Sequence, residues 1–327
     1  MTAPLRIAIV HYHLRPGGVT RVIEQAVAAL SREPVRIVVI SGAPLADRVS
    51  GTLEVVVVEG VDYTQGVSEN LSAEVLVKRL REAAATALGG APDVWHFHNH
   101  SLGKNCVLSR VVHKMAEDGD PLLLQIHDFA EDGRPSNYSG LVRYLADGDG
   151  HKLGARLYPQ GGHVHYALLN GRDLDFMRAA GASDACTHNL PNPVSLYSEN
   201  DVGPVADDGP LFLYPTRAIR RKNIGEFILW SVLNRGESRR FAITLAPTSK
   251  ADRPFYDRWV AFCRENGIDV EFESGLRNPR AYPAMLKAST AIVTTSIAEG
   301  FGLAFLEPWL ARRPLVGRDI PEMTREF

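Results

Sequence analysis

The amino-acid sequence predicts an α/β protein made of two doubly wound domains, and three observations carry that expectation. Short β-branched runs alternate with helical patterns along nearly all of its 327 residues. Several of those runs are apolar on both faces, as parallel strands covered on each side must be. The alternation breaks once, at Pro191-Asn192-Pro193 and the polar, turn-rich stretch that follows, and then resumes. The expected division is a first domain over residues 1–196, a linker over 197–209 and a second domain over 210–327.

Taken in order, the strand candidates of the first domain are residues 6–10, 35–40, 54–58, 94–98, 122–126, 163–169 and a short one at 187–190. Residues 20–31 read as a helix because Val22, Ile23, Ala26, Val27 and Leu30 share one stripe. Residues 72–88 do the same with Val75, Leu76, Leu80, Ala83, Ala84 and Ala87. In the second domain a strand at 211–214 precedes a helix at 224–234, a strand at 241–245 and a helix at 254–266. A strand at 268–272, a helix at 279–288, a strand at 291–295 and a last strand candidate at 314–316 complete the series. The second domain is the shorter of the two, and the expectation is that it is incomplete. No solenoid repeat or low-complexity tract interrupts the pattern.

Composition excludes several classes. With 45% hydrophobic and 23% charged residues the chain has the balance of a soluble globular protein. A net charge of −2 argues against a general nucleic-acid binder, which would be strongly basic. Cys106, Cys186 and Cys263 are scattered without CxxC pairing, as expected for buried thiols in a reducing, cytoplasmic setting. The apolar start at residues 7–10 is one strand long and runs into His11, so it is neither signal peptide nor membrane span. Basic clusters at Arg220-Arg221-Lys222, Arg239-Arg240 and Arg312-Arg313 leave room for membrane contact, but no basic amphipathic helix supports it.

Five segments carry possible chemistry. Near the C-terminal end, Glu299-Gly300-Phe301-Gly302-Leu303 leads into an apolar, helix-compatible run that contains Glu307. Open N–H groups at a helix start attract anions, so carboxylates beside them point to a ligand with both phosphate and hydroxyls. Pro308 directly after Glu307 places the helix start around residues 302–304. Arg217-x4-Lys222 follows the first strand of the second domain, where doubly wound sheets bind ligands. A guanidinium fork and an ammonium point charge suit a diphosphate. Gly17-Gly18 lies between the first strand and the first helix, where the backbone approaches a ligand or simply turns tightly. His96-Phe97-His98-Asn99-His100, with Lys104 and Asn105 downstream, ends a strand. Alternate histidines share a face, but without a carboxylate or Cys at ligand spacing a polar lining for a hydroxylated substrate outranks a metal site. His127-Asp128 reads equally as a histidine held by a carboxylate or as a strand-end turn. A nicotinamide-dependent dehydrogenase is disfavoured, because no GxGxxG with a following acidic residue opens either domain.

Together these residues resemble the GT-B glycosyltransferases, specifically the large retaining family 4. The matches occur in that family's order: strand, Gly17-Gly18 and helix; Pro92-Asp93-Val94-Trp95-His96; His127-Asp128; Pro191-Asn192; Arg217-x4-Lys222; and Glu299-x7-Glu307. The resemblance implies two Rossmann-like domains around an interdomain cleft, with the acceptor side first and the nucleotide-sugar side second. It implies a nucleoside-diphosphate sugar and a hydroxylated acceptor as partners, with no cofactor and no essential metal. Carried over by position, Arg217 and Lys222 would neutralise the departing diphosphate, and Glu299 would bind donor-sugar hydroxyls. His127 would contact the sugar near the reacting carbon. Gly17, Gly18, Phe301, Gly302 and Leu303 would bring backbone to the donor, and Glu307 would bind the ribose. His98, Asn99 and Lys104 would face the acceptor. Departures are Arg318-Asp319, where many relatives have small residues, and the charged loop from His127 to Pro135. Alternatives are a GT-B epimerase or phosphorylase, or an inactive nucleotide-sugar-binding fragment.

Overall fold

The computed structural model describes residues 3–15, 17–45, 53–64, 71–132, 134–194, 209–236, 238–249, 252–276 and 281–325. Nearly all of the expected linker, and the first residues of the helix expected at 279–288, lie outside them. The chain divides into two compact units, residues 1–193 and 194–327.

Among the described residues unit 1 holds seven strands: β1 (Leu5–His11), β2 (Val35–Ser41), β3 (Val55–Val57), β4 (Val94–His98), β5 (Leu122–Ile126), β6 (Val164–Leu168) and β7 (Thr187–Asn189). Its helices are α1 (Gly18–Leu30), α2 (Ala73–Leu88), α3 (Cys106–Glu117), α4 (Pro135–Leu145), α5 (Gly150–Leu157) and α6 (Gly171–Ala179). All strand pairs are parallel, in the order β3-β2-β1-β4-β5-β6-β7, so the winding reverses between β1 and β4. Period-2 alternation sets the two faces. Ala8, Val10, Val38, Ile40, Trp95, Phe97, Leu122 and Leu124 join the main core, while Ile9, Ile23, Val39 and Leu53 form a second cluster. Where β4 and β5 continue away from the main core, the residues that alternate with it are His96, His98 and Gln125 instead of hydrocarbon.

Local chemistry explains the helix ends. Ser72 starts α2 by accepting from the Val75 N–H, and Gly89 ends it in the left-handed region at φ 71°. Val75, expected on the buried stripe of α2, is 44% exposed; the buried face runs through Ala73, Leu76, Val77, Leu80, Ala84 and Leu88. Asn105 caps α3, Asp149 caps α5 and Asn170 caps α6, each through a side-chain oxygen. These three helices and α4 are not among the expected elements.

Unit 2 holds β8 (Leu211–Arg217), β9 (Arg240–Leu245), β10 (Ala291–Thr294) and β11 (Leu315–Gly317). Its helices are α7 (Ile224–Leu233), α8 (Arg253–Glu265), α9 (Ala281–Ala288), α10 (Leu303–Leu310) and α11 (Pro321–Thr324). The four strands are parallel in the order β11-β10-β8-β9, which reverses between β8 and β10. Two expectations need correction. Strand β8 runs past Tyr214 to Arg217, because a bulge opposite β9 absorbs Pro215, which cannot donate to a ladder. The strand expected at 268–272 is a single bridge between Ala242 and Glu271. The chain leaves the sheet edge there, as Glu273 turns at φ 56° into a 3-10 turn at Ser274–Leu276. No helix among the described residues is long and apolar enough to cross a membrane.

Candidate functional site

In an open α/β sheet the crevice for a ligand opens where the strand order reverses, at the carboxyl ends of the strands. In unit 2 that point lies between β8 and β10, and the two loops that leave it are tied together. Thr295 Oγ1 donates to the Lys222 and Asn223 carbonyls at 3.2 and 2.9 Å. Ile297 N–H donates to the Arg221 carbonyl at 3.0 Å, and Tyr214 Oη donates to the Lys222 carbonyl at 2.8 Å. These bonds set the backbone, and the side chains complete the site.

Lys222 Nζ donates to Glu299 Oε1. Arg221 reaches Glu299 Oε2 at 3.4 Å and the Ala298 carbonyl at 2.8 Å. The side chains of Lys222 and Glu299 are only 13% and 7% exposed, so both charges are largely removed from water. Burial pulls Lys222 below the usual lysine range, while the Glu299 charge and hydrogen bond pull it back up. Lys222 and Glu299, read separately from the sequence, are thus one ion pair. Arg221, read only as part of a basic cluster, belongs to it.

The other residues singled out in unit 2 have partners of their own. Arg217, at the end of β8, donates to the Ala246 carbonyl at 3.3 Å. Helix α10 starts at Leu303 as expected, with Gly302 as its N-cap in the left-handed region at φ 84°. Pro308, however, sits inside that helix. Phe301 is buried, Leu303 is partly so, and Glu307 accepts a hydrogen bond from Tyr282 Oη at 2.8 Å. Arg318 pairs with Glu226 at 2.6 Å.

In unit 1 the reversal lies between β1 and β4. Gly17 is the N-cap of α1 in an extended conformation, and a Cβ at Gly18 would meet no protein atom within 4 Å. Neither glycine is demanded by backbone strain, so the loop has space where a ligand would approach. Beside it stands a layer of histidines. His98 Nδ1 lies 2.9 Å from His127 Nε2, with the rings stacked 5.2 Å apart. His96 stacks on His98 at 4.3 Å and meets Gln125 Oε1 at 3.0 Å. His11 Nδ1 donates to the His98 carbonyl at 3.3 Å.

Burial is the first cause that keeps this layer neutral: it lowers His11 and His96 to about 4 and His127 to about 3. His98 is pushed well below the usual histidine range by burial, then by the neighbouring rings. His100, which donates to the Leu157 carbonyl at 2.8 Å, is likewise lowered by burial to about 4. Among the described residues no group of three or more His, Cys, Asp and Glu side chains is arranged to hold a metal ion.

The structure decides several open readings. His127 is not held by Asp128, which pairs with Arg134 at 3.2 Å; its ring partner is His98. His98 and Asn99 are only 1% and 3% exposed. Asn99 adopts φ 59°, and its Oδ1 accepts from the N–H groups of His127 and Asp128 at 2.8 and 3.2 Å, which fixes the turn after β5. Lys104 Nζ lies 5.7 Å from the Tyr63 ring centroid. A cavity of about 790 Å³, lined by Phe129, Tyr158, Asp173, Phe176 and Met177 among others, takes in Phe129, Glu131 and Asp132 of the charged loop but none of the residues assigned to donor or acceptor.

This geometry can be set beside known proteins. The chain has the fold of GT-B structures, with two parallel α/β sheets of which the second is smaller. Its sequence is 26% identical over 325 residues to mannosylglucosyl-3-phosphoglycerate synthase of Petrotoga mobilis, covering 91% of this chain and 62% of that protein. The chain therefore spans less than two thirds of the length of that curated relative. Anabaena HepE, solved in complex with UDP and glucose, superposes with a TM-score of 0.67 at 15% identity, over 96% of this chain and 80% of HepE. Sucrose-phosphate synthase of Thermosynechococcus elongatus gives 0.64 at 17% identity, over 96% and 81%. No protein-family model matches the sequence.

Proposed function

We propose that this protein is a retaining, metal-independent glycosyltransferase that moves a hexose from a nucleoside-diphosphate sugar to a hydroxyl acceptor. The observation that carries the reading is the buried Lys222–Glu299 pair at the point where the second sheet reverses its winding. Breaking a glycosyl–phosphate bond builds negative charge on the diphosphate and positive charge on the sugar. A fixed cation at the leaving group acts where that charge develops, and losing one such contact costs about 10²–10³ in rate. Lys222 and Arg217 are the cations assigned to the diphosphate, and Glu299 accepts from sugar hydroxyls. Glu307 binds the ribose, and the N–H groups around Phe301, Gly302 and Leu303 meet the donor, with Gly17 and Gly18 lining the phosphates. His127 meets the sugar from unit 1, the acceptor side, and Lys104 faces the acceptor.

No side-chain nucleophile is assigned; the leaving phosphate takes the acceptor's proton. HepE supports a uridine nucleotide and glucose as the first donor to try, because it was solved with both. The deciding experiment is calorimetry with UDP, GDP and ADP sugars, followed by the anomeric configuration of the product by NMR. A donor that binds and a product that keeps the donor's configuration are expected. Inversion, or binding with no turnover under any acceptor, overturns the reading.

A further inference from the structure

His127 and His98 share one proton between their facing nitrogens, and the surroundings decide which ring carries it. Both rings are neutral near pH 7, so each has one N–H and one bare nitrogen. If His127 Nε2 were the donor, His98 would hold its own proton on Nε2. That atom is buried without a hydrogen-bond partner. A buried N–H with no acceptor is rarer and more costly than a buried lone pair with no donor. The favourable arrangement therefore has His98 Nδ1–H donating to His127 Nε2 across 2.9 Å. The neighbours fit this assignment. His96 donates through Nε2 to Gln125, and His11 donates through Nδ1 to the His98 carbonyl, so neither supplies a proton to His98 Nε2.

The consequence falls on the far side of the His127 ring. With Nε2 occupied as an acceptor, its proton sits on Nδ1, which makes no hydrogen bond to a described residue and, unlike His98 Nε2, is not sealed from solvent. The Asn99 side chain holds the His127 backbone in place, so the ring direction is set from both ends. We propose that His98 is a positioning residue that locks His127 in the Nδ1–H tautomer, so that His127 meets its ligand as a hydrogen-bond donor and not as a base. This rests on the assignment of His127 to the donor sugar. There it gives the ring one task, donation to a sugar or phosphate oxygen, and leaves proton acceptance to the departing phosphate.

Nitrogen-15 NMR of histidine-labelled protein reads the tautomer without reference to activity. His127, identified by the signals lost in His127→Asn, should show a protonated Nδ1 and an unprotonated Nε2 in the ligand-free protein between pH 6 and 8. Replacing His98 with Leu removes the donor and should shift His127 toward Nε2–H. Turnover should fall about tenfold, the scale on which partners that orient a functional histidine act. His98→Asn, whose amide N–H can occupy the Nδ1 position, should restore the tautomer and recover most of the lost turnover. A wild-type His127 protonated on Nε2 overturns the proposal, as does a tautomer unchanged in His98→Leu. If the tautomer shifts as expected while turnover does not, the lock stands and the placement of His127 at the donor sugar falls. Should the Leu variant fail to fold, the wild-type and Asn spectra still decide the assignment.

Discussion

Mild acid should unfold unit 1 well before its carboxylates titrate, because its core is built around neutral histidines. An unfolded chain's histidines protonate near 6.5. In the folded protein His11, His96 and His100 are held at about 4 and His127 at about 3 by burial. Their folded values lie below the unfolded one, so the unfolded state binds more protons as pH falls through 6.5. Stability is then complete above that value and is lost progressively toward pH 4. Between pH 7 and pH 5 each such histidine removes about 2 kcal/mol, and the four together roughly 8 kcal/mol. A domain of this size is stable by roughly 5–15 kcal/mol in total, so the loss is of the order of the whole.

The assay is urea denaturation at pH 7, 6 and 5, read by hydrogen exchange in peptides that cover β4 and β5. The midpoint should fall steeply with pH in those strands. His100→Gln, which keeps a donor for the Leu157 carbonyl but cannot protonate, should reduce the loss between pH 7 and 5 by about 2 kcal/mol. A midpoint that is the same at pH 5 as at pH 7 would refute the reasoning, since it would mean the buried rings protonate as readily as exposed ones.

Other outcomes follow from the site proposed for the donor. Glu299→Gln removes the charge that holds Lys222 up against its burial, so Lys222 should lose its proton at a lower pH than in the wild type. Calorimetry of nucleoside-diphosphate binding should then show affinity declining at lower pH in the variant than in the parent. Gly302→Ala forces a Cβ into the left-handed N-cap at φ 84° and should cost about 1–2 kcal/mol in thermal denaturation. Gly18→Ala, by contrast, meets no protein atom within 4 Å and should leave stability within about 0.5 kcal/mol. Its effect should appear in donor affinity alone, and an unchanged affinity would remove Gly18 from the phosphate site.

How far the sequence could be read depended on whether a feature is local. Strands β4 and β5 were legible to the residue because each is a short apolar run that follows a Pro/Asp turn. The start of α10 was legible from its two glycines, Gly300 and Gly302, the second of which is the left-handed N-cap; Pro308 lies inside the helix and did not mark its start. Helices α5 and α6 went unread because their apolar stripes are short; their one strong signal was the capping residue, Asp149 or Asn170, and the latter is followed by Asp173 in a capping arrangement. Helix α3 carried both signals, a full stripe through Val107, Leu108, Val111, Val112 and Met115 and the cap Asn105, and was legible in principle. The edge pairing at Glu271 could not be foreseen, since β propensity does not say where a chain leaves a sheet.

The site shows the same limit more sharply. Lys222 and Glu299 stand 77 residues apart, and no spacing rule joins them. What joins them is the strand order, which places β10 beside β8 and so brings their two following loops together. His98 met the same obstacle. A strand-end histidine reads as ligand-facing, yet β5 pairs beside β4 and covers it with His127.

That difference also separates the chemistry of the two units. The described switch point of unit 2 gathers charge: a largely shielded ammonium and a partly exposed guanidinium around one buried carboxylate, where the Lys222–Glu299 Coulomb interaction counts for more than at a surface. The switch point of unit 1 gathers neutral donors and acceptors, because burial keeps every ring of its histidine layer uncharged at pH 7. A reaction that separates an anionic diphosphate from a sugar carrying positive character has use for both environments, and for each in a different place. Cations stabilise the leaving group but would repel the sugar, whereas neutral imidazoles orient hydroxyls without opposing the charge that grows at the reacting carbon. The ion pair in unit 2 and the neutral layer in unit 1 therefore each suit a different part of the electrostatic requirement of the reaction proposed.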